Sequence, residues 1–358
     1  MRFSDCSPPA CFSFKKSLTA PVANVPPKKT QFVVRVVLSF GLLAILAYSI
    51  NLQDLAGLLL GVRPEFVLLV LAAQLVDRLI NTWRWQVMLR AQGVVLPLWP
   101  LFRIQMTTGC LGSFLPSNVG VDVLRMMAIS KCTDRSIQAV AASALDRGLN
   151  VGITLIVAAI AGIFAAGRYL PWSVALAMIV LCFAFFIIGL VFTRPTLSRM
   201  LGPLIKRTLG VGLSEKLKTI YQSFLEYGRQ PRILALASAL TLLILLVRVM
   251  IVYLEALALN IHIDFLALAL VMPLAWILLM LPISVGGIGL QEGAFFAALR
   301  GLGVSGAGAV SISILEHLLS RIVILPGFYF YLRGGLVGAR KDEIVRCAST
   351  VSQQDRPL

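Results

Sequence analysis

A proline and four glycines interrupt an apolar stretch of the chain at residues 281–299. The stretch begins Leu-Pro-Ile-Ser-Val-Gly-Gly-Ile-Gly, and Gln-Glu-Gly follows after one leucine. Proline lacks the backbone donor of a helical hydrogen bond and glycine loosens the chain, so we expect a helix to end here. Inside a bilayer, interrupted backbone is tolerated only within protein or beside a water-filled cavity. The stretch therefore predicts a helix–break–helix hairpin beside a polar site.

A weaker copy of this motif lies earlier in the chain, where residues 115–125 read Leu-Pro-Ser-Asn-Val-Gly-Val-Asp-Val-Leu-Arg. We interpret both segments as re-entrant hairpins, and two ordinary kinked helices are the alternative. The predicted breaks are at Pro116, Gly120, Pro282, Gly286, Gly287 and Gly289.

Composition indicates a membrane protein. The 358 residues are 58% hydrophobic and 13% charged, whereas soluble domains have roughly 25% charged residues. The net charge of +16 is explained by basic cytoplasmic loops and by attraction to anionic lipid, rather than by nucleic acid. The six cysteines and two histidines show no metal-ligand spacing, and we recognise no nucleotide-binding or hydrolase motif. We expect no metal and no cofactor.

The distribution of charge and hydropathy predicts an all-α polytopic protein with six spanning helices, two re-entrant hairpins and both termini in the cytoplasm. Most lysines and arginines then lie on the cytoplasmic side. The predicted divisions are a disordered basic tail (1–31), a transmembrane domain (32–332) with halves at about 64–167 and 232–332, a cytoplasmic amphipathic segment joining them (193–231), and a cytoplasmic tail (333–358).

The two halves carry matching charged residues. Arg248 follows Arg78 by 170 residues, and Glu316 follows Asp146 by the same interval. Because the predicted hairpins open to opposite sides, we interpret the halves as an inverted repeat. Such repeats are typical of transporters that bind substrate near the bilayer midplane.

Ionisable side chains within the predicted spans are the candidate site, because a charge in hydrocarbon is costly unless it pairs or lines a cavity. Arginines can bind a lipid phosphate, helped by the helix N-termini that follow the two breaks. Carboxylates can receive an amino headgroup, relay protons or neutralise the arginines. Structural pairing is the alternative for each residue. The candidate substrate-binding residues are Arg78, Asp122, Arg125, Asp146, Arg147, Arg248, Glu292, Glu316 and Arg321, with Asp77 beside them.

One aromatic motif predicts an anchor at the membrane surface. Trp83-Arg84-Trp85 is expected to place its indole rings at headgroup level, with the guanidinium reaching out to water.

At these motifs the chain resembles the flippase-like family, the transmembrane domain of lysylphosphatidylglycerol synthase. The resemblance covers residues 32–332, and its most specific part is residues 281–293. The sequence departs from the family pattern at Ser117-Asn118 and at Asp122. The family tends to have Pro-Gly-Arg or Pro-Ala-Arg in the first motif, with a Glu. The resemblance implies the translocator part without the soluble synthase domain, for which we expect no room before Leu358.

Together, these observations predict an inner-membrane lipid translocator, flippase-like or scramblase-like, for an anionic phospholipid or an isoprenoid-linked lipid. Membrane lipids are the expected partners, with lipid-biosynthesis enzymes as further candidates, and an enzymatic activity is not expected. The alternatives are a membrane-embedded transferase or accessory subunit of lipid or glycan biosynthesis, and a carrier of small solutes.

Overall fold

The computed structural model describes residues 52–113, 118–133, 135–193, 222, 225, 227, 228, 230–280 and 289–337. Within these ranges the regular structure is helical, apart from one bridge between Ala166 and Leu170, which confirms the all-α prediction. The elements are α1 (Leu52–Leu60), α2 (Pro64–Ala91), α3 (Leu98–Gly112), α4 (Asn118–Ser130), α5 (Ser136–Ala165), α6 (Trp172–Thr193), α7 (Pro231–Ala258), α8 (Phe265–Leu279), α9 (Leu290–Arg300), α10 (Gly306–Ile324), α11 (Pro326–Gly334) and a short 3-10 helix (Gly335–Val337).

Four helical segments of the described chain are long and apolar enough to cross a membrane: α2, α5, α7, and α10 with its continuation to Val337. The apolar stretches Trp172–Ile187 and Phe265–Leu279 are shorter. The chain is therefore a multi-pass membrane protein. The predicted first span at residues 32–50 lies outside the described residues, as do residues 1–31, residues 338–358 and most of segment 193–231. Six crossings therefore remain a prediction.

Two pairs of short helices occupy the positions of the predicted hairpins. The helices α3 and α8 have 15 residues each, α4 has 13 and α9 has 11, whereas a crossing needs about 20. The helix α3 packs against α4, and α8 packs against α9. In each pair the first helix ends before the proline motif and a second short helix starts at or after it. Entry and exit on one side of the membrane remain a prediction.

The interruptions themselves lie largely outside the described residues, including Pro116, Pro282, Gly286 and Gly287. The first pair is tight because a Cβ at Gly112 would collide with Val121 on α4. Gly120 lies in the first turn of α4, so this glycine does not break the helix.

The helices pack in two sets with the same pattern of neighbours. In the first set α2 contacts α3 and α5, and α4 contacts α3 and α5; α7 to α10 repeat these pairings in the same order. Between the sets, α2 and α7 pack along each other, α5 contacts α7 and α8, and α10 contacts α2 and α3. A large apolar core lies among α7, α8, α9 and α10, with Val252, Met272 and Phe295 buried at its centre. Two of the three polar groups described next include contacts between the two sets.

Candidate functional site

A first charged cluster is built around Asp146 on α5. The Nε atom of Arg84 on α2 lies 2.9 Å from Asp146 Oδ1, and both side chains are 3% exposed. The Nη1 group of Arg84 donates to Asn150 Oδ1 at 3.3 Å and to Thr241 Oγ1 at 3.0 Å. One buried guanidinium therefore ties α2, α5 and α7 together.

Two more arginines complete this cluster. Arg125 on α4 has Nη1 3.7 Å from Asp146 Oδ2, and its Cζ lies 3.7 Å from the centre of the Trp85 ring. Arg147 Nε lies 3.4 Å from Asp122 Oδ2. The second arm of the first hairpin is thus held to α5 by two ion pairs.

The structure corrects the expected surface role of Trp83-Arg84-Trp85. Only Trp83 is well exposed, at 45%. Trp85 is completely buried and donates its indole N–H to Ser143 Oγ at 3.0 Å. Because a helix turns by about 100° per residue, three consecutive residues cannot all face the headgroups. The anchor prediction was therefore wrong for Arg84 and Trp85.

A second charged cluster joins α2, α7 and α10. Arg248 Nε on α7 lies 3.1 Å from Asp77 Oδ1 on α2, and Asn81 Nδ2 donates to Asp77 Oδ2 at 3.2 Å. Gln74 Nε2, one turn earlier on α2, donates to Glu316 Oε2 on α10 at 3.0 Å. The Arg248–Asp77 and Gln74–Glu316 contacts join the two sets of helices.

This second cluster lines a cavity of about 140 Å³. Four of the described residues that line it are charged, and most of the others are apolar. The cavity therefore has both a polar and an apolar surface. The charged residues are Asp77, Arg78, Arg248 and Glu316, and the others are Gln74, Gln291, Ile251, Val252, Trp276, Leu279 and Phe295.

A third polar group starts at the beginning of α9. The Gly289 backbone N–H donates to Glu292 Oε2 at 2.6 Å, while Glu292 Oε1 lies 3.0 Å from His317 Nδ1. Arg321 Nη2 lies 3.1 Å from His317 Nε2. A guanidinium only donates, so His317 Nε2 accepts and Nδ1 carries the proton that bonds to Glu292.

This arrangement changes the role expected for Glu292. Its carboxylate already occupies the N-terminal end of α9, where the sequence predicted free N–H groups for a substrate anion. Gln291, and not Glu292, is among the described residues that line the cavity. The conformation also depends on Gly289, whose φ of 80° is one that other residues rarely adopt.

The sequence-predicted residues thus fall into three groups. Arg78, Arg248 and Glu316 meet at the cavity, with Asp77. The first cluster contains Asp122, Arg125, Asp146 and Arg147. Glu292 and Arg321 each contact His317, one at each ring nitrogen.

Sequence reasoning did not assign several buried polar residues to the site, among them Gln74, Arg84, Glu255 and His317. Glu255 is fully buried on α7, a helix that packs against α10. A carboxyl in the last turn of an otherwise largely apolar helix was the signal that could have identified it.

Comparison with known protein families assigns the chain to a family. The family model described as the lysylphosphatidylglycerol synthase TM region matches residues 32–327, which include every helix from α1 to α10. In a comparison with curated proteins, no match to the chain is found.

Proposed function

Since the chain belongs to the family of the lysylphosphatidylglycerol synthase TM region, we propose that it moves a lipid between the leaflets of the cell (inner) membrane. Family membership and the apolar helices already indicate a membrane protein with a lipid-related function. The proposal adds translocation, flippase-like or scramblase-like, of an anionic phospholipid or an isoprenoid-linked lipid.

The divided lining of the cavity is the observation that carries this proposal. Arg78 and Arg248 provide two guanidinium groups, and Trp276, Leu279 and Phe295 provide apolar surface in the same cavity. In an anionic lipid a charged phosphate likewise lies next to an apolar acyl or isoprenoid chain. Guanidinium groups bind phosphate through paired, charge-assisted hydrogen bonds.

Arg78 is the better placed of the two arginines to receive a phosphate. Arg248 is already engaged by Asp77 at 3.1 Å. The Nε–H of Arg78, by contrast, is buried and has no hydrogen-bond partner among the residues that the structure describes. Leaving such a donor unsatisfied is costly, so a bound anion that accepts from it is favoured.

The repeated helix pairing supports movement as well as binding. The neighbours of α2 to α5 recur in α7 to α10, as expected for two structural repeats, and the cavity lies between the sets. In transporters built from inverted repeats, one repeat rocks against the other and exposes a central site to each side in turn. We propose that this chain is such an inverted repeat, with both termini in the cytoplasm.

Liposomes that contain the purified chain and fluorescent phosphatidylglycerol test the proposal. A membrane-impermeant quencher reports the rate at which labelled lipid changes leaflets. We expect exchange well above that of protein-free liposomes. Arg78→Gln should slow it by roughly ten- to a hundredfold, because a charge-assisted hydrogen bond is worth about 1.5–3 kcal/mol.

Arg90→Gln is the matched control, since Arg90 is an exposed arginine on the same helix. The proposal is contradicted if neither labelled phosphatidylglycerol nor a labelled isoprenoid phosphate exchanges faster than in protein-free liposomes. Equal rates for the two variants contradict the assignment of Arg78. Chemical conversion of the lipid in these vesicles indicates a transferase instead.

A further inference from the structure

Aromatic side chains form a continuous cluster where α3 and α11 meet. The ring of Trp99 stacks on that of Phe102, with centroids 5.5 Å apart, and lies edge-on to that of Phe330 at 6.1 Å. The Tyr329 ring follows, 5.9 Å from the Phe330 ring. We call these four residues the aromatic cluster.

Close packing of the two helices holds the cluster in place. A Cβ at Gly327, in the first turn of α11, would collide with the backbone oxygen of Met106 on α3. Three residues later along α11, Phe330 reaches Trp99 in the first turn of α3, so the two helices run in opposite directions. Phe330 also packs against the buried side chains of Phe102 and Met106. The cluster therefore lies where α3 begins and α11 ends.

Two arginines lie over these rings, one from each helix. The Cζ atom of Arg103 on α3 is 5.3 Å from the centre of the Trp99 ring and 5.7 Å from that of Phe330. The Cζ atom of Arg333 on α11 is 4.7 Å from the centre of the Tyr329 ring. A guanidinium that stacks on a ring uses its face, whereas its N–H groups lie around its edge. The rings thus orient both guanidinium groups without using their donors.

Two other arginines show what distinguishes this arrangement. Arg168 lies over the ring of its neighbour Tyr169 at 5.2 Å, and Arg300 lies over Phe296, one turn earlier on α9, at 5.9 Å. Each of these contacts is local in sequence. Arg103 instead lies over rings from two helices, so helix packing sets its position.

The cluster faces outward, and apolar side chains continue from it. Trp99 is 53% exposed and Tyr329 is 50% exposed, and Leu332 and Arg333 beside them are exposed as well. In a membrane protein, exposed apolar side chains contact lipid, and aromatic residues concentrate at the level of the headgroups. The surface therefore combines an apolar part with a basic part.

The electrostatic surroundings favour an anion here. The helices α3 and α11 and the 3-10 helix contain no Asp or Glu. Arg135 Nη1 donates to the Gly93 backbone oxygen, in the loop before α3, at 3.4 Å, and Arg90 and Lys131 near this loop are exposed. Clusters of basic residues at a membrane surface attract anionic lipids.

We propose that Arg103, Arg333 and the aromatic cluster bind an anionic phospholipid that stays in its leaflet. The phosphate accepts hydrogen bonds from the two guanidinium groups, and the upper part of the acyl chains packs on Trp99 and Tyr329. None of these residues is among those described as lining the cavity. Because α3 belongs to the first hairpin and α11 ends the second set of helices, the bound lipid holds the two together.

Quenching of tryptophan fluorescence by brominated lipid tests this binding without transport. The purified chain is placed in phosphatidylcholine vesicles in which a small fraction of the lipid is brominated phosphatidylglycerol or brominated phosphatidylcholine. The quenching that disappears in Trp99→Phe reports lipid at this surface. We expect phosphatidylglycerol to be enriched there by about five- to thirtyfold over phosphatidylcholine, the effect of one or two basic residues at an anionic headgroup.

Three substitutions locate the binding. Arg103→Gln and Arg333→Gln should each lower the preference for phosphatidylglycerol by about fivefold. Phe330→Leu keeps the apolar contact but removes a ring under Arg103, so it should also lower the preference. Arg90→Gln, which removes an exposed arginine of the same end of the bundle, is the matched control and should leave it unchanged.

Equal quenching by the two brominated lipids in the wild type overturns the inference. A preference that persists when Arg103 and Arg333 are both replaced by glutamine overturns it as well. Neither result bears on translocation, because the quenching assay needs no movement between leaflets. Conversely, absence of lipid exchange overturns the proposed function and leaves the site at α3 and α11 standing if the preference is observed.

Discussion

The carboxylate of Asp146 lies between two guanidinium groups, whereas the carboxylate of Glu316, 170 residues later, accepts a hydrogen bond from the Gln74 amide and lines a cavity. In the first region, Arg84 contacts Asp146, Asn150 and Thr241 and is almost completely buried. Both regions contain buried side-chain atoms without a described hydrogen-bond partner, for example Arg125 Nε in the first and Gln74 Oε1 in the second. The second region adjoins the cavity.

The difference indicates that the two regions have different roles, the first in stability and the second in ligand binding. A buried network whose charges are paired holds helices in one arrangement, and breaking it is costly. Buried groups that lack a described partner and line a cavity, such as the Nε–H of Arg78, can instead be satisfied by a ligand. We therefore expect substitutions around Asp146 to change stability, and substitutions around Glu316 to change binding and transport.

The largest expected effect on stability comes from Arg84→Ala. It leaves Asp146 buried with only the longer contact to Arg125, and loss of one partner from a buried pair costs about 3–5 kcal/mol. Thermal or denaturant unfolding in detergent micelles measures the change. Arg78→Ala, at the cavity, is the matched comparison and should stay within about 1 kcal/mol of the wild type. Equal losses in the two variants would remove the distinction between the regions.

A smaller effect separates the two tryptophans beside Arg84. Trp85→Phe removes the indole N–H that donates a hydrogen bond to Ser143 Oγ in a fully buried position. The substitution should lower the free energy of unfolding by about 2 kcal/mol. Trp83→Phe, at a position 45% exposed, should have little effect in the same unfolding assay. The reverse order would restore the surface-anchor interpretation of this motif.

The smallest effect concerns the start of α9. Gly289 has φ 80°, so Gly289→Ala should destabilise the fold by about 1 kcal/mol and disturb the contact of its N–H with Glu292. Gly293→Ala, inside α9 with open space around its Cα, should be neutral or slightly stabilising. Unfolding midpoints of the two variants provide the test, and a Gly289→Ala variant as stable as the wild type would argue against this conformation.

Much of the helix order could be predicted from the sequence because its signals are local. Proline and glycine near residues 116 and 282 predicted that helices end there, and the structure ends α3 at Gly112 and α8 at Leu279. The cost of charge in hydrocarbon also identified Arg78, Arg248 and Glu316, which meet at the cavity.

The partners of these charges could not be predicted, because they are set by helix packing over long separations in sequence. Asp77 pairs with Arg248 rather than with its neighbour Arg78, since adjacent residues of a helix point in different directions. Arg84 was misplaced because aromatic residues around an arginine are typical of a membrane surface.

Photolabelling tests most directly whether the cavity binds the lipid. A phosphatidylglycerol with a photoactivatable group next to its headgroup is bound to the purified chain, irradiated and mapped by peptide mass spectrometry, with unlabelled lipid as competitor. We predict competable labelling of residues that line the cavity, such as Ile251, Trp276 and Phe295. Labelling confined to the exposed face of α6, at Phe183 and Phe186, would contradict binding in the cavity.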